Sequence, residues 1–235
     1  MYDSIHENYK WDLALIKTIA KKNMGTVLEL ASGTGRLAYP IIELGLDYTG
    51  LELSKDFLKL ANSKLGNKGN FIFGDMCKFN LESNFDFIFI GFNSFLHNLT
   101  VEDAKSCLQC VLKHLNPKGK FLLSAFVPDL EYLYRDKNKM YPATDFFQFE
   151  NSKCRILEKN QYDSHTQINE LTWHIEKDGV LSLSKYNYSM RMFYPHEIDI
   201  LFEEGGFIIE DKFGDYDLSP FGQSSDMQIY ICRKQ

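Results

Sequence analysis

Hydrophobic positions recur in two rhythms along this chain, and the change of rhythm divides it. Up to about residue 127, short apolar runs alternate with stretches of helical period. Thr26–Leu30, Asp47–Glu52, Asn70–Phe73, Phe85–Ile90 and Lys120–Ala125 read as strands. Between them, Asn8–Lys22 reads as a helix with Trp11, Leu15 and Ile19 on one face. Arg36–Leu44 is a second helix, stopped by Gly45. Ser54 caps a third that runs to about Leu65, with Phe57, Leu58 and Ala61 on one side. Thr100 and Asp103 are spaced as a capping box for a fourth, ending at Leu115 ahead of an Asn116-Pro117-Lys118-Gly119 turn. Phe85–Ile90 is almost continuously apolar, which suits burial on both faces of a parallel sheet. Strand alternating with helix predicts a doubly wound α/β sheet with helices on both faces. Ligands of such sheets lie at the carboxyl ends of the strands.

From Pro128 the rhythm changes. Pro128–Asp136 reads as a short helix and Lys137–Asp145 as a loop. Leu171, Trp173 and Ile175 then alternate with polar residues, Asp178-Gly179 is a two-residue hairpin signal, and Tyr186, Tyr188, Met190 and Met192 share one parity. Phe146–Phe193 is therefore expected to be antiparallel β. An insertion over 128–193, following the fifth strand, would roof a pocket at the ligand end of the sheet. A helix over Pro195–Glu204, closed by Gly205-Gly206, and strands at Phe207–Phe213 and Met227–Arg233 complete the chain. With no repeat and no linker-like tract, one domain over 1–235 is expected.

Composition narrows the class. The 235 residues carry a net charge of −6, which disfavours a dedicated nucleic-acid surface. No apolar run is long enough to span a bilayer, and Met1–Lys10 is too polar for a signal peptide. Five scattered cysteines fit a reducing cytoplasm. Cys107 and Cys110 share a segment with a helical apolar stripe and lack a second ligand pair, so no metal site is expected.

The chemistry concentrates after the first strand. Val27-Leu28-Glu29-Leu30-Ala31-Ser32-Gly33-Thr34-Gly35 is an apolar run with an acid near its end, then a small-residue loop that lets backbone approach a ligand. The helix after it is expected to turn its first N–H groups toward that ligand. Glu52 ends the second strand as another acid. With Gly74-Asp75-Met76, Phe85–Asn93 and the Leu115–Leu123 turn into the fifth strand, the order over Thr26–Ala125 resembles the class I S-adenosylmethionine-dependent methyltransferases.

That resemblance implies a mostly parallel Rossmann-like sheet of methyltransferase type, with S-adenosylmethionine as cofactor and S-adenosylhomocysteine as product. It implies that Glu29 and the Ala31, Gly33, Thr34, Gly35 backbone hold the methionine part, with Arg36 helping at its carboxylate. Glu52, with Leu53 beside it, would take the ribose hydroxyls, and Asp75 and Met76 the adenine. Phe92 would lie near the transferred methyl. Ala31 departs from the family, many members of which carry glycine there. The β insertion and the Phe193–Phe207 region look like a subgroup that methylates amines of small molecules, amino sugars among them.

A base is needed to remove a proton from an amine or hydroxyl nucleophile. His97, just after the fourth strand, is the candidate; the alternative is a surface histidine ahead of a helix cap. His114 sits late in a helix, where a cation suits the dipole. Tyr9, Trp11, Tyr141, Trp173, Tyr188 and Arg191 are candidates to line the substrate side, the alternative being sheet core. The expected partner is a small molecule, with neither nucleic acid nor membrane, acting on a monomer or homodimer. Two other readings compete. A nicotinamide-dependent oxidoreductase lacks support because Ala38 replaces the third glycine of its loop and Tyr230–Lys234 falls in the last strand. A non-catalytic S-adenosylmethionine-binding protein would share the same loop.

Overall fold

The computed structural model describes residues 1–6, 9–23 and 25–235. In chain order the helices are α1 (Tyr2–His6), α2 (Trp11–Lys22), α3 (Ala38–Ile42), α4 (Lys55–Leu65), α5 (Val101–His114), α6 (Leu130–Leu133) and α7 (Pro195–Glu204). The strands are β1 (Thr26–Leu30), β2 (Asp47–Glu52), β3 (Asn70–Phe73), β4 (Phe85–Ile90), β5 (Leu115–Phe126), β6 (Tyr141–Pro142), β7 (Phe147–Phe149), β8 (Ser152–Asp163), β9 (Ile168–Lys177), β10 (Val180–Arg191), β11 (Phe207–Phe213) and β12 (Met227–Lys234). They form two compact units, Lys10–Val127 with Tyr194–Gln235, and Met1–Tyr9 with Pro128–Phe193.

The larger unit holds a seven-stranded sheet of order β3-β2-β1-β4-β5-β12-β11. β1 to β5 run parallel, and β12 and β11 add antiparallel strands beyond β5. The strand order reverses between β1 and β4, the position at which open α/β sheets leave a crevice. Leu28, Leu30, Phe87, Ile88, Phe89, Ile90 and Leu122 are fully buried, as two covered faces require.

Four sequence expectations change in detail. The start of the first long helix at Asn8 lies outside the described residues. Its inner face is Asp12, Leu15, Ile16, Ile19 and Ala20, at intervals of three and four, and this stripe leaves Trp11 71% exposed. The helix expected over Arg36–Leu44 forms only over Ala38–Ile42, too short and too late to aim a row of N–H groups at the loop. Leu44 and Gly45 close it with hydrogen bonds to residues three back, and Gly45 takes φ +75°. The Asn116–Gly119 turn is absorbed into β5 as a bulge, since Phe85 pairs with Leu115 but Phe87 pairs with Lys120. His114, late in α5, is buried rather than exposed. It is 1% exposed, and its Nε2 lies 2.9 Å from the Leu81 N–H, which it can accept only when unprotonated.

In the smaller unit β8, β9 and β10 form a long antiparallel meander, with β6 and β7 against β8 and α1 against β7. Asp178 and Gly179 both take positive φ, as a type I′ hairpin demands, and Lys177 pairs with Val180 across them. One face of this sheet presents Glu158 and Asn160 of β8, Leu171 and Trp173 of β9, and Tyr186 and Tyr188 of β10.

Candidate active site

In the larger unit the parallel register sets the two strand-end acids side by side. Glu29 pairs with Gly50 on β2 and Phe89 on β4, and Glu52 closes β2. Glu29 is 5% exposed and accepts a 2.5 Å hydrogen bond from the Tyr48 phenol, which is itself 2% exposed. Burial pushes the Glu29 carboxyl up to about 8. The Tyr48 hydrogen bond and the Arg36 charge oppose that rise, while Asp12 and Glu52 add to it. The Tyr48 phenol rises well above its ordinary value, from burial first and the adjacent Glu29 next.

Gly50 makes this pairing possible. A Cβ there would stand 2.7 Å from Ser32 Oγ and 2.9 Å from the Tyr48 hydroxyl. Gly50→Ala is therefore expected to push Tyr48 off Glu29 and to destabilise the chain by about 1–3 kcal/mol, the usual cost of an overpacked core methyl. Urea unfolding measures it, and an unchanged midpoint would show that the neighbours yield freely.

Glu52 is held by backbone. Its two oxygens accept 2.7 Å hydrogen bonds from the Gly33 and Ser54 N–H groups, one each. An ionised carboxylate has about four acceptor positions, so each oxygen keeps capacity for a ligand hydroxyl. The loop glycines differ. A Cβ at Gly33 would meet nothing within 4 Å, whereas at Gly35 it would approach Leu65 and Phe71 at 3.0 and 3.2 Å. Gly33 thus borders open space, while Gly35 and the buried Thr34 pack the loop from behind. Ala31 takes φ +57°, a left-handed conformation that glycine adopts without strain, which is the physical reason for glycine at this position in other chains.

Arg36 is committed to a residue that the sequence did not single out. Its guanidinium forms a bidentate pair with the fully buried Asp12 of α2, at 2.9 and 2.5 Å, and lies 5.4 Å from the centre of the Phe92 ring. Phe92 and Asn93 both take positive φ, +54° and +65°. The turn is held by Phe92 N–H donating to Ser124 Oγ, by Asn93 Oδ1 accepting from Phe126 N–H at 2.8 Å, and by the Tyr216 hydroxyl donating to the same Ser124 Oγ. Two strained residues anchored this firmly are typical of a functional turn. His97 stands exposed at the end of the 3-10 turn Ser94–His97 that follows.

Asp75 lies two residues past Phe73, the partner of Glu52 in the β2–β3 register. Partial burial pulls its carboxyl up, but the Cys77 N–H at 2.9 Å and Lys78 at 3.3 Å outweigh this and hold it below its usual value. It is an ionised acceptor at neutral pH. Leu53 and Phe73 stand 59% and 50% exposed nearby in the chain, large apolar surfaces flanking an acceptor, as a flat heterocycle requires. Open space at Gly33, carboxylates on β2 and after β3, and these apolar flanks fit an adenosyl cofactor bearing a cationic tail.

The substrate candidates fall into separate groups. In the smaller unit Trp173 and Tyr188 meet edge to face at 5.3 Å around Glu158, a residue that sequence reasoning missed. Glu158 Oε1 accepts from the Tyr132 hydroxyl at 2.8 Å and Arg135 at 2.7 Å. Its Oε2 accepts from Trp173 Nε1 at 2.6 Å and the Tyr188 hydroxyl at 3.4 Å. Arg135 stacks at 4.6 Å on Tyr132 and 4.4 Å on Tyr141. Arg191 is not part of this group; it has the other parity on β10 and donates to Thr166 O and Gln167 Oε1. Tyr9 is half-buried, its N–H bonded to His6 O, and belongs to the smaller unit; Trp11 belongs to the larger. Among the described residues no group of three or more metal-ligating side chains converges, and all five cysteines are free thiols.

A parallel sheet of this order, closed by an antiparallel β12–β11 pair, is the Rossmann-like fold of S-adenosylmethionine-dependent methyltransferases. Residues 27–119 match the methyltransferase domain family. An uncharacterised methyltransferase of Bacillus cytotoxicus is 24% identical over 187 residues, covering 74% of this chain and 86% of that protein. Among solved structures, the CcbJ methyltransferase of Streptomyces caelestis superposes with a TM-score of 0.80 at 23% identity, over 96% of this chain and 89% of that one. CalS10, an amino pentose methyltransferase of Micromonospora echinaspora solved with S-adenosylmethionine bound, has a TM-score of 0.73 at 17% identity, over 97% and 93%. Residues 27–119 thus carry the sequence pattern of a methyltransferase domain, and the chain has the fold of class I S-adenosylmethionine-dependent methyltransferases.

Proposed function

We propose that this enzyme methylates an amine of a small molecule, with a hydroxyl as the second choice of acceptor. The observation that carries the cofactor half of this reading is the pair of strand-end glutamates flanking the open Gly33 turn where the strand order reverses. Glu29, the Ala31–Gly33 backbone and Arg36 would hold the methionine end, Glu52 the ribose, and Asp75 with Leu53 and Met76 the adenine. The bound cofactor supplies a methyl group already activated on a sulfonium. The protein's work is then to hold the acceptor in line and exclude water, which can lower a barrier by roughly 7–11 kcal/mol. Phe92 would border the methyl, and His97 would take the proton that an amine sheds, a role open to an imidazole as general base.

Substrate choice is assigned to the smaller unit, as an inserted segment over 128–193 within one methyltransferase domain. Trp173 and Tyr188 are aromatic groups of the kind that favour an ammonium-like acceptor; Tyr141, whose ring carries Arg135 at 4.4 Å, and Tyr9, Trp11 and Arg191 are the further candidates. The amino pentose acted on by CalS10 supports an amine-bearing small molecule over a nucleic acid or membrane target. No helix among the described residues is long and apolar enough to cross a membrane, and five free thiols suit a cytoplasmic setting.

The test is transfer of a labelled methyl group to a panel of primary amines, amino sugars, phenols and alcohols. Turnover confined to amines, with a bell-shaped pH profile whose limb moves in His97→Ala, is expected. Saturable binding of S-adenosylhomocysteine without turnover on any member would favour a cofactor-binding module instead.

A further inference from the structure

We propose that Tyr48 is a positioning residue for cofactor capture: it holds the buried Glu29 carboxyl in place while that group releases its proton to solvent as the cofactor's α-ammonium is bound. This rests on the reading that Glu29 serves the methionine end of the cofactor.

The geometry is a closed cluster. Glu29 and Tyr48 are both nearly inaccessible and joined at 2.5 Å. Gly50 opens the gap that lets the phenol reach across, and Ser32 packs beside it. The charged groups facing Glu29 come from every neighbouring element: Arg36 from the loop after β1, Asp12 from α2, and Glu52 from the end of β2. Arg36 is paired with Asp12 at 2.5 Å, and its charge offsets the burial of Glu29 only in part. Burial then leaves the acid form favoured at neutral pH, consistent with a carboxyl raised to about 8. An ammonium brought beside it reverses that preference, because an opposite charge at close range favours the ionised form. The O–H bond of the carboxyl breaks, the proton goes to buffer, and the carboxylate pairs with the ammonium; no other bond changes. Tyr48 donates to the carboxylate throughout, so the charge appears on an oxygen that is already fixed.

The sign of the pH dependence follows. A ligand whose binding expels a proton gains affinity as pH rises toward the pKa of the group that loses it, about tenfold per unit, and levels off above it. Folding shows the opposite trend for this one group. The folded chain keeps the proton to about pH 8 and the unfolded chain loses it near 4.5, so ionising Glu29 makes folding less favourable across that interval.

The probe is S-adenosylhomocysteine, which keeps the α-amino group, titrated calorimetrically from pH 6 to 9 in two buffers of different ionisation enthalpy. Wild type is expected to release roughly one proton per binding event at pH 7 and to bind about tenfold tighter at pH 7 than at pH 6. Glu29→Gln should bind weakly with a flat profile over that range. Tyr48→Phe removes a donor that favours the charged form, so its plateau should move to higher pH, with an unchanged plateau position overturning the role given to Tyr48. Wild-type binding that is independent of pH and buffer would overturn proton release while leaving the cofactor reading intact. No saturable binding by folded wild type at any pH would overturn both.

Discussion

Replacing Glu52 with glutamine is expected to weaken S-adenosylhomocysteine binding about 30- to 1,000-fold, a loss of roughly 2–4 kcal/mol. Two effects add. Hydrogen bonds to a charged acceptor contribute about 1.5–3 kcal/mol each, and an amide keeps only one acceptor oxygen for the two ribose hydroxyls. The same substitution also strikes the loop, because Glu52 receives Gly33 N–H on one oxygen and Ser54 N–H on the other. In glutamine one of those donors faces an NH₂ group, so the Gly33 turn must shift or lose a bond. Calorimetry at fixed pH reads the affinity, and circular dichroism verifies that the sheet is intact. An affinity within twofold of wild type would remove Glu52 from the ribose role.

The largest expected effect on stability comes from Glu158→Ala in the smaller unit. Glu158 is 5% exposed and the Arg135 side chain 14%, so truncating the acid strands a largely enclosed guanidinium together with the Tyr132, Trp173 and Tyr188 donors. Breaking one side of such a pair typically costs about 3–5 kcal/mol. Removing both charges with apolar residues of similar volume, Glu158→Leu with Arg135→Met, should recover most of that loss, since a buried pair contributes little beyond its own desolvation. The chain has two tryptophans, Trp11 and Trp173, and Trp11 is 71% exposed. Urea unfolding in a Trp11→Phe background therefore follows the Glu158 cluster through the Trp173 signal alone. A single mutant as stable as wild type would show that water reaches Arg135 and that the cluster is not closed.

The parallel sheet and its acids were legible because their signals are local. The Phe85–Ile90 run, the strand-end acids Glu29 and Glu52 and the small-residue loop between β1 and α3 each follow from residues adjacent in the chain. So did the Asp178-Gly179 hairpin, where two positive-φ residues are needed in succession. Errors gathered where position within an element mattered more than its existence. Trp11 shares the apolar character of α2, yet one residue of rotation puts Asp12 inside and the indole out. A lone acid in a helical stripe was the available signal for Asp12, and Arg36, 24 residues on, gave no local sign of being its partner.

Sequence alone determined the order of the seven main-sheet strands, the fold and the likeness to methyltransferases, since each rests on short-range periodicity and on motifs read in order. Only tertiary structure decided who meets whom. It brought Tyr48 across Gly50 to Glu29, Arg36 to Asp12, and Tyr132, Arg135, Trp173 and Tyr188 onto Glu158. The physical reason is that a buried carboxylate must find donors wherever packing delivers them, and packing joins residues whose spacing along the chain carries no periodic trace.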